Sequence, residues 1–451
     1  MSHHLVAIFG GAVSGAEAAY QLSQSGIQSI VFEQNKLPYG KIEDGLPKWH
    51  AKLRDKEENN INEKLSNANV TFVPCVRLGQ DIDFEDIAKN WGFSAILLAT
   101  GAWRDRPLPI EGVDLFINKG LYYQNPFMYW FNHFHEPGYQ GQNFDVKDRA
   151  LVIGGGLASI DVAKVLMILT VQEALKKRGI EEDIFSLERS ISKVLESHNL
   201  TLEALGLKGC TLVYRKRIKD MPLYPGETDT PEQIAKAETI REKILENARA
   251  KYLFNVLPMS VPVDKIVEND NLAGLVFQKT EFENGRWVNV ENSGFEIRAP
   301  LTISSIGSIP EPVSGIPWKG EIIKLEEDGC CRIKGHSNVF ALGNAVTGRG
   351  NILESLKHGR EISQTVVHEY LTEPEVILDE QLRGKESVIQ ENVKAVVQQI
   401  ARFAPPTDEQ KKRIFEKVNH LLSRIKYPGD YMEWVKMNLP PRYEQIMGLQ
   451  H

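Results

Sequence analysis

The chain is poor in cysteine, free of long apolar runs and without an excess of positive charge, and each lack excludes something. Its four cysteines, Cys75, Cys210, Cys330 and Cys331, include no C-x-x-C pair. Neither an iron–sulfur cluster nor a redox-active dithiol is therefore encoded, and no metal is expected. The adjacent Cys330 and Cys331 read as structural. No stretch approaches the length needed to span a membrane. An apolar strand starting by Leu5 leaves no room for a leader segment, so the cytoplasm is the expected compartment. A formal net charge of −7 argues against nucleic-acid binding. What remains is an ordinary globular composition, 42% hydrophobic and 25% charged, in 451 residues, too many for one core.

The N-terminus organises the rest. Leu5 to Phe9 is a short apolar run. Gly10-Gly11-Ala12-Val13-Ser14-Gly15 is a glycine turn, and an alanine-rich helix follows. This order opens a dinucleotide-binding βαβ unit, in which bare helix N–H groups meet a pyrophosphate. The acid expected at the end of the second strand is Glu33, placed to accept from a ribose diol, with Gln34 next to it. The one irregularity is Ala12, where the motif has its middle glycine. Residues 93–102 read as a buried parallel strand ending in Ala99-Thr100-Gly101, where a turn without side chains approaches a cofactor closely.

A second unit begins at Ala150. Gly154-Gly155-Gly156-Leu157-Ala158-Ser159 fits the fingerprint as G-x-G-x-x-S. A long helical insertion is expected over 165–205, then a strand from Cys210. That strand ends in Arg215-Lys216-Arg217, where the first unit has its acid. Basic residues there suit a 2′-phosphate, hence NADP(H); the alternative is a solvated basic turn. Strands near 253–300 should complete the second sheet, and Leu301 to Gly307 should return the chain to the first domain. Val339 to Asn344 is a further strand, ending at Gly343-Asn344 and followed by Gly350-Asn351-Ile352 and a helix to about 371. This suits the ribityl and flavin end of FAD. Beyond 373 the pattern is helical: Val393, Val396, Val397 and Ile400 share one face, and Thr407-x-x-Gln410 is a capping box. This appendage reads as packing on the body, or as a dimer or partner surface. The cluster Tyr129-Trp130-Phe131-Asn132-His133 reads as packing, with a functional role as the alternative.

Two nucleotide units, the first resumed after the second, resemble the two-dinucleotide-domain flavoproteins. The similarity is greatest to the adrenodoxin reductase-like ferredoxin–NADP reductases and the glutamate synthase small subunit, over roughly residues 4–371. Its carriers are Pro38-Tyr39-Gly40 with His50, Gly154 to Lys164 with Asp161, and Tyr214-Arg215-Lys216 with Met221-Pro222. The resemblance implies an α/β fold with a discontinuous FAD domain (1–107 and 309–372), an inserted NADP domain (108–308) and a helical extension (373–451). It implies an FAD-dependent NAD(P)H oxidoreductase passing hydride from NADPH to FAD and electrons onward. Gly10, Ala12, Gly15, Glu33, Gly40, Thr100, Gly101, Asn344 and Ile352 fall at FAD positions, with Gly11, Val13, Ser14, Gln34, Lys41, Val76, Ala99, Gly343, Gly350 and Asn351 beside them. Gly154, Gly156, Leu157, Ala158, Arg215 and Lys216 fall at NADP positions, with Arg217 adjoining. His50 is either a flavin-adjacent catalytic group or a loop hydrogen-bonder. Lys48, Lys52, Arg54 and Lys56 either dock an acidic ferredoxin or form a solvated helix face. Three departures bear on the acceptor: Glu43 stands near the family's basic loop residue, Asn344 stands where a tryptophan or aspartate is expected after Gly343, and Gly350-Asn351 alters the threonine–glycine turn near the flavin; the helical tail has no counterpart. An electron-input subunit of a larger complex, or a non-catalytic FAD scaffold, are the competing readings.

Overall fold

The computed structural model describes residues 3–224, 230–327, 329–347 and 374–448. Two five-stranded parallel sheets dominate. In the first, Val339–Ala341 pairs with Ala95–Leu98, which pairs with Leu5–Phe9, then Gln28–Phe32, then Val70–Val73. In the second, the order is Leu121–Tyr123, Thr302–Ser304, Leu151–Ile153, Thr211–Val213, Asn255–Leu257. Each opening strand is buried along its whole length, as a parallel sheet covered on both faces requires. The two crossings between the sheets lie side by side, because Arg104–Asp105 pairs with Ser308–Ile309.

One expectation needs correction, and the helical insertion needs only detail. Only Asn255–Leu257 joins the second parallel sheet. Ser260–Glu268, Asn271–Glu283, Arg286–Asn289 and Phe295–Arg298 form a separate antiparallel sheet. Its hairpins turn at Asn269-Asp270 and Asn284-Gly285, all four with positive φ, the backbone of tight two-residue hairpin turns. The 165–205 stretch is not one helix. The glycine-unit helix runs Leu157–Lys176, and two short helices follow, Ile184–Arg189 and Ile191–Ser197, capped by Asp183 and Ser190.

The tail wraps the first sheet. Helix Pro374–Ile400 buries Ile389, Val393, Val396 and Ile400 with Val6, Ile8 and Val31 on one face of the sheet. Helix Asp408–Arg424, opened by the Thr407–Gln410 capping box, buries Ile414 and Val418 with Leu5, Ala7 and Phe9 on the other. Helix Tyr431–Asn438 adds Trp434, whose Nε1 donates to the Lys36 carbonyl at 2.7 Å. The packing reading of the tail therefore holds for these faces. Trp130 and Phe131 are likewise buried, in the core of the second domain.

Candidate functional site

A cavity of about 550 Å³ opens at the C-terminal ends of the first sheet's strands, where open α/β sheets bind ligands. Gly10, Ala12, Val13, Ser14, Glu33, Gln34, Gly40, Lys41, Val76, Ala99, Thr100, Gly101, Gly343 and Asn344 all line it. Gly15 stands behind the lining: a Cβ there would lie 1.7 Å from the Gly10 carbonyl oxygen. Gly11 donates its N–H to Glu33 Oε2 at 2.7 Å. Gly350, Asn351 and Ile352 lie outside the described residues. The turn is tight at Gly10, where φ is +99° and a Cβ would meet the Ala99 carbonyl oxygen at 2.4 Å. The Ala12 irregularity is matched by Gly40. A Cβ on Gly40 would lie 2.9 Å from the Ala12 methyl, so the loop leaves room for the side chain that the glycine motif omits.

Glu33 also accepts from Asn35 N–H at 2.9 Å. Burial pushes its carboxyl up to about 7, against the pull of these backbone N–H groups. Glycine turn, bare helix start and wall-facing acid fit a dinucleotide. Residues that sequence reading missed include Trp103, Cys331 and, from the tail, Leu382, Lys385 and Val388. The tail residues reach the cavity from nearly the other end of the chain, and no local motif announces them.

The second unit is similarly built. A Cβ on Gly154 would lie 2.2 Å from the Ser305 carbonyl oxygen, and one on Gly155 would lie 2.1 Å from the Tyr214 ring, while Gly156 faces open space. Ser159 Oγ donates to that Ser305 carbonyl at 3.0 Å, tying helix to strand. Leu157 and Ala158 open the helix, with Ala158 exposed. The basic triplet divides. Arg217 grips Asp220 at 2.8 and 2.9 Å and lies over the Trp287 ring. Arg215 is exposed and Lys216 half-buried.

His50 does not line the first cavity. It is buried at the start of helix Ala51–Leu65 and faces Asp161 of the second unit. Burial raises the Asp161 pKa, with Lys164 and then His50 opposing. Lys164 is itself buried, 3.2 Å from Glu188, with its ammonium over the Trp49 and Tyr252 rings. The loop carrying Trp49 and His50 thus plugs the first domain into the second.

Two of the four basic residues are withdrawn from any docking face, while Lys52 and Lys56 stay exposed. Lys48 is buried, 3.2 Å from His135 Nδ1 and over the Phe131, Phe134 and Tyr443 rings. Arg54 is buried and pairs with Asp55 and Glu444. Lys56 pairs with Asp379 of the tail. The C-terminal segment covers this patch, so both the docking and the solvated readings fail for Lys48 and Arg54. The same segment brings Arg442 between Glu43 and Glu58.

Beside this network His133 sits between two carboxylates, Nδ1 at 2.6 Å from Glu136 and Nε2 at 3.1 Å from Asp44. Glu43, His133 and Glu136 lie close enough to share an ion, but both His133 nitrogens are taken by carboxylates and Glu43 Oε1 by Arg442, while Glu43 Oε2 has no hydrogen-bond partner. Burial opposes a charge on His133, yet its two hydrogen bonds outweigh that and raise its pKa to about 9. A raised pKa gives stability that is complete below the unfolded value and is lost as pH rises through the folded one. The stability difference between wild type and His133→Gln is therefore expected to shrink from its full size below pH ~6.5 to near zero above pH ~9, measured by denaturant melts. A difference that does not change with pH would show that His133 is uncharged in the fold.

Residues 4–198 match the family model described as pyridine nucleotide-disulphide oxidoreductase. The chain is 23% identical over 344 residues to the mitochondrial NADPH:adrenodoxin oxidoreductase of Arabidopsis thaliana, covering 69% of each. It is 24% identical over 381 residues to the glutamate synthase [NADPH] small chain of Bacillus subtilis, covering 80% of this chain and 66% of the relative. FprA of Mycobacterium tuberculosis, solved in complex with NADPH, shares its fold with a TM-score of 0.66 at 18% identity, over 93% of this chain and 90% of that one. The expected α/β fold with a helical C-terminal region is borne out, as is the resemblance to both reductase groups. Among the described residues no helix is long and apolar enough to cross a membrane.

Proposed function

We propose that the chain is an FAD-dependent oxidoreductase that takes hydride from NADPH at the second glycine unit, holds FAD in the first cavity and passes electrons to a small iron–sulfur protein. The observation that carries this is the pairing of two glycine units with opposite strand-end chemistry. Glu33 lines the first cavity as an acid, while Arg215 stands exposed at the matching place in the second. FAD, once bound, supplies a ring that accepts two electrons and releases them onward. The chain's residues bind and orient: the glycine turns admit the phosphates, Glu33 accepts from the ribose, and the paired crossings hold the domains in register. The acceptor class follows the relatives named for adrenodoxin and ferredoxin. Since the tail buries Lys48 and Arg54, neither is available to the acceptor.

A second reading is favoured by the likeness to the glutamate synthase small chain, namely electron input to a larger complex. Work in the cytoplasm, and a homodimer through the exposed parts of the tail such as Met437 and Ile446, belong to the same proposal. Anaerobic NADPH is expected to bleach the visible flavin absorption of the purified protein, and ferredoxin added afterwards to restore it. Flavin that NADPH leaves unbleached would sink the enzyme reading. Bleaching without reoxidation by ferredoxin would favour the larger complex, identified by co-purification.

A further inference from the structure

The first cavity is partly built by the tail, and the tail brings a charge into it. Lys385, on helix Pro374–Ile400, lines the wall together with Lys41 from the loop after the second strand. Lys41 Nζ donates to Ser308 Oγ at 2.9 Å and Asn125 Oδ1 at 3.2 Å, both neutral. Burial pushes its pKa down to about 8; Asp105 opposes this and the Lys385 charge adds to it. Burial lowers the Lys385 pKa too. The carboxylates on the cavity wall are Glu33, Glu311 and Glu391. Glu33 is held by backbone N–H groups and Glu311 by Arg77.

Two partly buried ammonium groups that repel each other on one cavity wall raise the energy of the empty protein. A negative ligand group between them reverses the sign. We propose that Lys41 and Lys385 form an anion-binding pair that takes negative charge of the flavin dinucleotide, which makes the C-terminal helix a working part of the cofactor site. This rests on the reading that the first cavity holds FAD. It assigns the tail a role in cofactor binding that packing alone does not require.

The pair predicts effects of opposite sign on two quantities. In the full-length apoprotein, Lys385→Gln is expected to raise the melting temperature, because a partly buried charge is removed. It is also expected to weaken FAD binding about tenfold or more, read by quenching of flavin fluorescence, as the loss of one charge-assisted contact implies. Lys41→Gln should do the same, Lys385→Arg should keep most of the affinity, and the double variant should depart from additivity, as neighbouring groups do. Riboflavin, which lacks the diphosphate, locates the charge. Loss confined to FAD places the pair at the diphosphate, and an equal loss for riboflavin, whose oxidised ring is neutral, would overturn the anion assignment. FAD affinity within twofold of wild type in both single variants would overturn the proposal, as would a lowered melting temperature with unchanged affinity. Wild-type protein that binds no FAD would instead overturn the cofactor reading on which the pair rests.

Discussion

Replacing Arg442 with methionine is expected to destabilise the protein by about 3–5 kcal/mol, the cost of leaving buried charges without their partner. Arg442 is 7% exposed and donates to Glu43 through one nitrogen and to Glu58, at 2.5 Å, through the other. Without the guanidinium, two carboxylates face each other in a buried site. Burial already raises the Glu58 pKa to about 8, with Arg442 opposing and Glu43 adding to the rise. Losing Arg442 leaves burial and the facing Glu43 opposed only by the weaker pull of Arg54, 3.7 Å from Glu58, so one of the two acids must take up a proton or the segment must detach. The loss should accordingly be smaller at pH 5 than at pH 8 in urea melts. Adding Glu43→Gln and Glu58→Gln to the variant should recover most of it, because the acids are then neutral. A loss below about 1 kcal/mol at pH 8 would place the network with surface pairs of little worth. Arg442→Lys keeps a charge but not the fork that reaches both acids, and should fall between.

This network also shows which parts of the chain can be read without coordinates. The two glycine units are legible because their chemistry is local. A turn at Gly10 that excludes any Cβ, a bare helix start at Val13 and an acid at the end of the next strand are all fixed within about thirty residues. The capping box at Thr407 is legible for the same reason, since its two hydrogen bonds join residues three apart. The antiparallel sheet carries a strong hairpin signal at Asn284-Gly285, but strands that follow a glycine unit read alike whether they extend its parallel sheet or pair among themselves. Lys48 and Arg54 show the opposite limit. Their sequence neighbourhood is a charged helix, and only contacts with Tyr443 and Glu444 bury them. Glu43, an acid near the family's basic position, was the one visible hint of a compensating cation, and Arg442 lies 399 residues away. Lys385 has no sequence signal, because a lysine on a tail helix reads as solvated until the helix is laid across a cavity.

The nucleotide preference tests the second unit most directly. Arg215→Ala is expected to lower kcat/KM for NADPH about 10- to 100-fold, the worth of a charge-assisted contact to a phosphate. NADH, which lacks the 2′-phosphate, should be used as well as before. The structure sharpens this into a contrast within the triplet. Arg217 is committed to Asp220 by two hydrogen bonds, and freeing it for a ligand would strip that acid of its partner. Arg217→Ala should therefore leave the NADPH-to-NADH ratio nearly unchanged. Arg215, exposed just beyond the end of strand Thr211–Val213, has no such commitment within the triplet. Raising the salt concentration should erode the wild-type preference and leave that of the Arg215 variant flat, since an exposed charge pair is screened and a missing one is not. If the Arg215 variant keeps the wild-type ratio while the Arg217 variant loses it, the 2′-phosphate lies on the Trp287 side of the strand end. The Arg217–Asp220 pair must then open when the nucleotide binds.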